Sequence, residues 1–220
     1  MKLINLNLLL LLALLVSCGE PSVSSGKWTV SYDQVQKGHR IEKENQLLSD
    51  GVYASYKLGD KLVTTRDYKK SSSKVTAISD AFGQGSLFHV AYTDSNLPTL
   101  VQSFYIYPEK DYLLTEFTLQ GGEAGVESNY MAPVTIDRMP AVLAEGDNRA
   151  LFQPFDNDCW IRYQSHPLTF DQLRSYEVAT VFNNDDRKGF VIGSVEHSDW
   201  KTGIDMGKGD RNNIGSLVCF

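Results

Sequence analysis

From Trp28 onward the chain alternates short apolar, aromatic and β-branched runs with clusters of turn residues, recurring every ~8–12 residues. Residues 28–32, 51–57, 61–68, 74–78, 86–92, 99–107 and 112–120 read as strands. So do 134–138, 159–164, 175–183, 189–196 and 216–220. Within 112–120, Leu113, Thr115, Phe117 and Leu119 share one face and form the better core candidate. Within 100–107, apolar and aromatic residues fall on both faces, which predicts a strand covered on both sides. The turn 108–111 joins two of these runs as a hairpin, and the polar turn 183–189 joins another pair. Short helical turns are expected at 33–36 and at 170–173, the latter capped by Thr169. No segment sustains a helical period. The pattern predicts an all-β, antiparallel β-sandwich of two packed sheets.

The first 26 residues break that pattern. Lys2 precedes a continuous apolar run over 8–16, which ends in Leu15-Val16-Ser17-Cys18. A run this short reads as a secretory signal and falls below the ~20 residues of a bilayer span. The four residues 15–18 resemble the lipobox of bacterial lipoproteins. That resemblance implies cleavage before Cys18, lipidation of Cys18 and anchoring of an exported protein to the outer membrane. Residues 1–17 are then a signal peptide, the small and polar 18–26 a flexible tether, and 27–220 the β-sandwich domain.

Composition narrows the class. Of 220 residues, 42% are hydrophobic and 27 acidic residues outnumber 21 Lys+Arg, giving a net charge of −6. With no basic run longer than two residues, nothing supplies the clustered positive surface of a nucleic-acid partner. With Cys18 acylated, Cys159 and Cys219 remain; they pair only if their Cα atoms lie within ~7 Å, and both the bridge and two thiols stay open. No Cys or His spacing fits a metal site, and no cofactor motif occurs.

The densest chemistry lies in 152–163. Asp156 and Asp158, if extended, share a face with Cα atoms ~6.6 Å apart, and Trp160 follows on that face. An aromatic platform beside carboxylates suits a sugar: the ring takes the C–H face and the oxygens accept from hydroxyls. The competing account is a loop whose Asp156, Asn157 and Asp158 bond their own backbone while Trp160 enters the core. A second cluster sets Ser194, His197 and Asp199 close in sequence, but neighbouring strand residues point apart and the nucleophile-elbow pattern is missing. It reads as a strand ending in a polar turn.

Residues 154–163, 175–178 and 189–204 together resemble the N-terminal region of exported Bacteroidetes glycoside hydrolases similar to the α-galactosidase (melibiase) and raffinose-synthase group, glycoside hydrolase family 36. The resemblance implies an N-terminal β-sandwich followed by a (β/α)₈ barrel and a small β domain, with two catalytic aspartates on barrel strands acting with retention. A barrel needs about 250 residues, so no catalytic position falls in this chain, which is expected to be inactive alone. What the resemblance implies for 156–160 is a loop reaching the barrel mouth. Asp156, Asn157 and Asp158 would hydrogen-bond, and Trp160 would stack on, an oligosaccharide with a terminal α-linked sugar. The rival expectation is a non-catalytic carbohydrate-binding or structural lipoprotein.

Overall fold

A computed structural model describes residues 20–121, 125–155, 163–196 and 199–220. The strands are β1 (Ser22–Ser25), β2 (Trp28–Asp33), β3 (Gly38–Lys43), β4 (Gln46–Leu58), β5 (Lys61–Thr64), β6 (Lys70–Asp80), β7 (Gly83–Asp94), β8 (Leu97–Ile106) and β9 (Leu113–Gln120). They continue with β10 (Met131–Ile136), β11 (Asn148–Phe152), β12 (Gln164–Pro167), β13 (Gln172–Tyr176), β14 (Val178–Asn183), β15 (Gly189–Gly193), β16 (Gly203–Lys208) and β17 (Ile214–Cys219). Among the described residues the only helical turns are two 3₁₀ turns, Thr65–Asp67 and Asp210–Asn212.

All pairings are antiparallel. One nine-stranded sheet runs β1-β2-β3-β4-β10-β17-β16-β13, with β5 also on β4. Two four-stranded sheets, β6-β7-β8-β9 and β12-β11-β14-β15, pack against it. The fold is therefore all-β, as the alternation predicts, but the large sheet is a wall shared by two cores. The first core joins Val30, Tyr32, Ala54 and Tyr56 to Phe88, Tyr92, Leu100 and Phe104. The second joins Val52, Val134, Ile204, Met206 and Leu217 to Ala150, Ala179 and Val181. Strand β4 feeds both, since alternate residues Val52, Ala54 and Tyr56 face inward along its 13 residues.

The first core is rich in rings. Tyr32, Tyr56, Tyr68 and Tyr92 are buried, and the Tyr68 hydroxyl pairs with that of Tyr56 (2.9 Å) and donates to the Pro98 carbonyl (2.6 Å). His39 is wholly buried among them, 4.5 Å from the Phe104 ring centroid and 5.0 Å from that of Tyr32. Its Nδ1 lies 3.3 Å from the Val52 carbonyl, so that nitrogen carries the proton and donates. Desolvation then pushes the imidazole down to about 3, keeping it neutral.

Several expectations are corrected. Residues 22–25, read as tether, form β1, because Val23 enters the first core and the backbone pairs with β2. The strand at 100–107 is fully buried on one face (Leu100, Gln102, Phe104, Ile106), while its other face is covered only in part: Ser103 and Tyr107 are buried, Val101 and Tyr105 half-exposed. Residues 33–36 make no helix: Asp33 accepts from the Val35 and Gln36 amides and closes a hairpin turn. Residues 170–173 lead into β13, because pairing with β16 offers more than a lone helical turn. The run 175–183 is split at Glu177 into β13 and β14, which join different sheets. The two hairpin turns at 108–111 and 183–189 stand as read, and Phe117 is buried with Leu113 and Leu119 packed on its core.

Candidate functional site

Of the residues singled out in the sequence, Cys18, Asp156, Asn157, Asp158, Cys159, Trp160 and His197 lie outside the described residues. What the structure does place is the root of the 156–162 segment, and it is tied down from several sides. The Gln153 amide donates to Ser175 Oγ (2.7 Å), whose hydroxyl donates to the Val178 carbonyl (2.5 Å). The Tyr176 amide donates to the Gln153 carbonyl (2.9 Å). Ser175 is fully buried, so this hydroxyl is an internal strut between two sheets.

Glu177 alone links β13 to β14 and takes a left-handed backbone, φ +66°. Its amide donates to the Thr202 carbonyl (3.0 Å) and its carbonyl accepts from the Ser194 amide (2.8 Å). Gly193 sits against it: a Cβ there would stand 2.8 Å from the Glu177 carbonyl oxygen. The Glu177 carboxylate lies 3.5 Å from the Lys201 ammonium, which also sits 5.0 Å from the Phe155 ring centroid. Phe155 meets Tyr176 edge to face at 5.0 Å. Segments 153–155, 175–178, 193–194 and 200–202 thus converge on one rim.

The second cluster of the sequence is divided by this arrangement. Ser194 spends its hydroxyl on the Glu196 carbonyl (2.8 Å), a local turn bond. Further along the same segment, Trp200 is 69% exposed. It walls an open groove of about 780 Å³ with Lys57, Gly59, Asp60 and residues 126–129 (Val, Glu, Ser, Asn). Among the described residues neither Asp60 nor Glu127 forms an ion pair. Sequence reasoning missed this groove. An aromatic residue beside Lys201 carries no signal of its own, and the turn after β4 lies far from 126–129 in the chain.

The groove is bordered by an organised outer face of the large sheet. Arg174 makes a bidentate pair with Asp205 (both 2.6 Å) and lies 4.9 Å from the Phe220 ring centroid. The Asp205 hydrogen bonds raise the Arg174 pKa, outweighing desolvation. Phe220 stacks on Tyr130 at 5.4 Å, and the Lys57 ammonium sits 5.8 Å from the Tyr130 ring centroid. Beyond it, Arg66 covers the Tyr53 ring at 3.9 Å and donates to Asp137 (2.7 Å), which also accepts from the Tyr53 hydroxyl (2.7 Å). Burial raises the Asp137 carboxyl, but those bonds outweigh it and hold the group below its ordinary value. Among the described residues no group of three or more His, Cys, Asp or Glu is placed to hold a metal ion.

No family model matches the chain. No curated protein matches it either. Solved structures share its fold, among them two of one enzyme. An α-N-acetylgalactosaminidase from Bifidobacterium bifidum in complex with GalNAc superposes with a TM-score of 0.61 at 10% identity, over 91% of this chain and 33% of that one. The same enzyme in complex with Gal-NHAc-DNJ gives 0.60 at 10% identity, over 90% and 32%. The chain therefore spans about a third of the length of these glycosidases and has the fold of that portion.

Proposed function

We propose that this β-sandwich is an accessory domain of an exported, α-galactosidase-like glycoside hydrolase, anchored through lipid on Cys18. In this reading the 156–160 loop helps shape a sugar site whose catalytic carboxylates belong to a barrel domain. Asp156, Asn157 and Asp158 accept hydrogen bonds from sugar hydroxyls, and Trp160 supplies the stacking platform. The observation that carries the reading is the fold match: nine-tenths of this chain corresponds to one-third of a glycosidase. The bracing of Gln153 by Ser175 adds to it, since a substrate-contacting loop needs rigid roots.

The test is to read the gene beyond codon 220 and assay both the complete product and this chain on an aryl α-galactoside. The expected result is an open frame encoding a barrel, hydrolysis by the complete product and none by residues 20–220. Turnover by residues 20–220 alone overturns the reading. The exposed Trp200 in an open groove favours a second one, a carbohydrate-binding lipoprotein without catalysis, which a stop at codon 221 with a folded, sugar-binding product would support.

A further inference from the structure

We propose that the groove walled by Trp200 is a second carbohydrate-contacting site, built from residues outside the 156–160 loop. The inference deepens the reading above and rests on it for the class of ligand. Trp200 is 69% exposed, whereas Trp28 is 8% exposed and caps the first core. A single exposed indole needs no explanation by itself; its surroundings are what point to a ligand. Asp60 and Glu127 present carboxylates, Asn129 an amide and Lys57 an ammonium around the same space. Among the described residues the Asp60, Glu127 and Asn129 side chains make no hydrogen bond that would use up this capacity. Lys57 is held in place by the Tyr130 ring, which is itself stacked on Phe220.

The chemistry selects among ligands. A pyranose has one face of C–H groups and a belt of hydroxyls that both donate and accept. The indole covers the face, the carboxylates and amide accept from the belt, and the ammonium donates to it. Two carboxylates against one ammonium disfavour a phosphate or other anion. The charged groups among its lining, Lys57, Asp60 and Glu127, disfavour a wholly apolar peptide or lipid chain. A volume of about 780 Å³ falls in the range of small-molecule sites, roughly 300–1,000 Å³. Its open side leaves room for a glycan to continue past the bound ring. Trp200 is also next to Lys201, whose ammonium lies 5.0 Å from the ring centroid of Phe155, the residue just before the 156–162 segment.

The test titrates the purified chain with methyl α-D-galactopyranoside and with N-acetylgalactosamine, read by calorimetry and by ligand-observed NMR. Trp200→Ala is expected to weaken binding by about tenfold or more, equivalent to 1.4 kcal/mol, and to leave the melting temperature unchanged because the ring is exposed. Trp200→Tyr should restore most of the affinity. Asp60→Asn and Glu127→Gln should each weaken it severalfold. Full affinity in Trp200→Ala overturns the groove site. Loss in Trp160→Ala without loss in Trp200→Ala also overturns it, while leaving the accessory-domain reading standing. Failure of the native chain to bind either sugar overturns the groove site too; the accessory-domain reading is judged separately by the gene and its hydrolase assay.

Discussion

The ring of Phe220 lies where a side chain on Gly203 would stand: a Cβ at Gly203 would meet the ring at 2.6 Å. Paired backbone bonds lock the two residues together, Gly203 N–H to the Phe220 carbonyl (2.6 Å) and Phe220 N–H to the Gly203 carbonyl (2.9 Å). Gly203→Ala must therefore push the ring away from Tyr130 and Arg174. The expected cost is about 1–3 kcal/mol, or a fall in melting temperature of roughly 2–4 °C per kcal/mol for a domain of this size. Thermal denaturation checks it; a melting temperature equal to that of the native chain would show that the stack is not held by this contact.

Glu177 carries a backbone conformation that costs a side-chain-bearing residue about 1–2 kcal/mol. Its ion pair with Lys201 is a third or more exposed on both sides and recovers under about 1 kcal/mol. Glu177→Gly should therefore leave stability unchanged or raise it by about 1 kcal/mol, and Glu177→Val should lower it by more than that. Chemical denaturation of the three proteins measures both. If Glu177→Gly instead destabilises the chain strongly, the carboxylate contributes more than its geometry indicates.

His39 sets an acid limit. Its folded pKa of about 3 lies below the unfolded 6.5, so the unfolded chain binds the extra proton first as pH falls. The contribution is complete above pH 6.5 and is lost between pH 6.5 and about 3 at up to about 1.4 kcal/mol per pH unit. His39→Leu should be less stable at pH 7, because the Val52 carbonyl loses its donor, yet should lose stability less steeply toward pH 4. Urea unfolding at several pH values compares the slopes, and parallel slopes would contradict a buried neutral imidazole.

The parts of this fold legible in the sequence are those whose causes are local. The turn 183–189 announces itself because Asn183 Oδ1 accepts from the amides of Asp185 and Asp186, a bond that needs no distant partner. The inward set Leu113, Phe117 and Leu119 is legible because a strand has period two. Strands β3, β11 and β16 escape such reading. Gly38–Lys43 holds one aliphatic residue, Ile41, and its pairing is decided by neighbours on either side. The same holds for β1, where Val23 alone enters the core. Glu177 hides the boundary between two sheets inside what reads as one strand. The groove at Trp200 is the extreme case, since three segments separated by dozens of residues make it and none is unusual by itself.

Strand β4 supplies Val52 to one interior and Ala54 and Tyr56 to the other. Neither half of the molecule owns a complete set of walls. A cut or a deletion along this strand would strip the cover from both apolar layers at once, so the two halves are bound to rise and fall as one unit, and any recombination that transplants the rim must carry the whole sandwich with it.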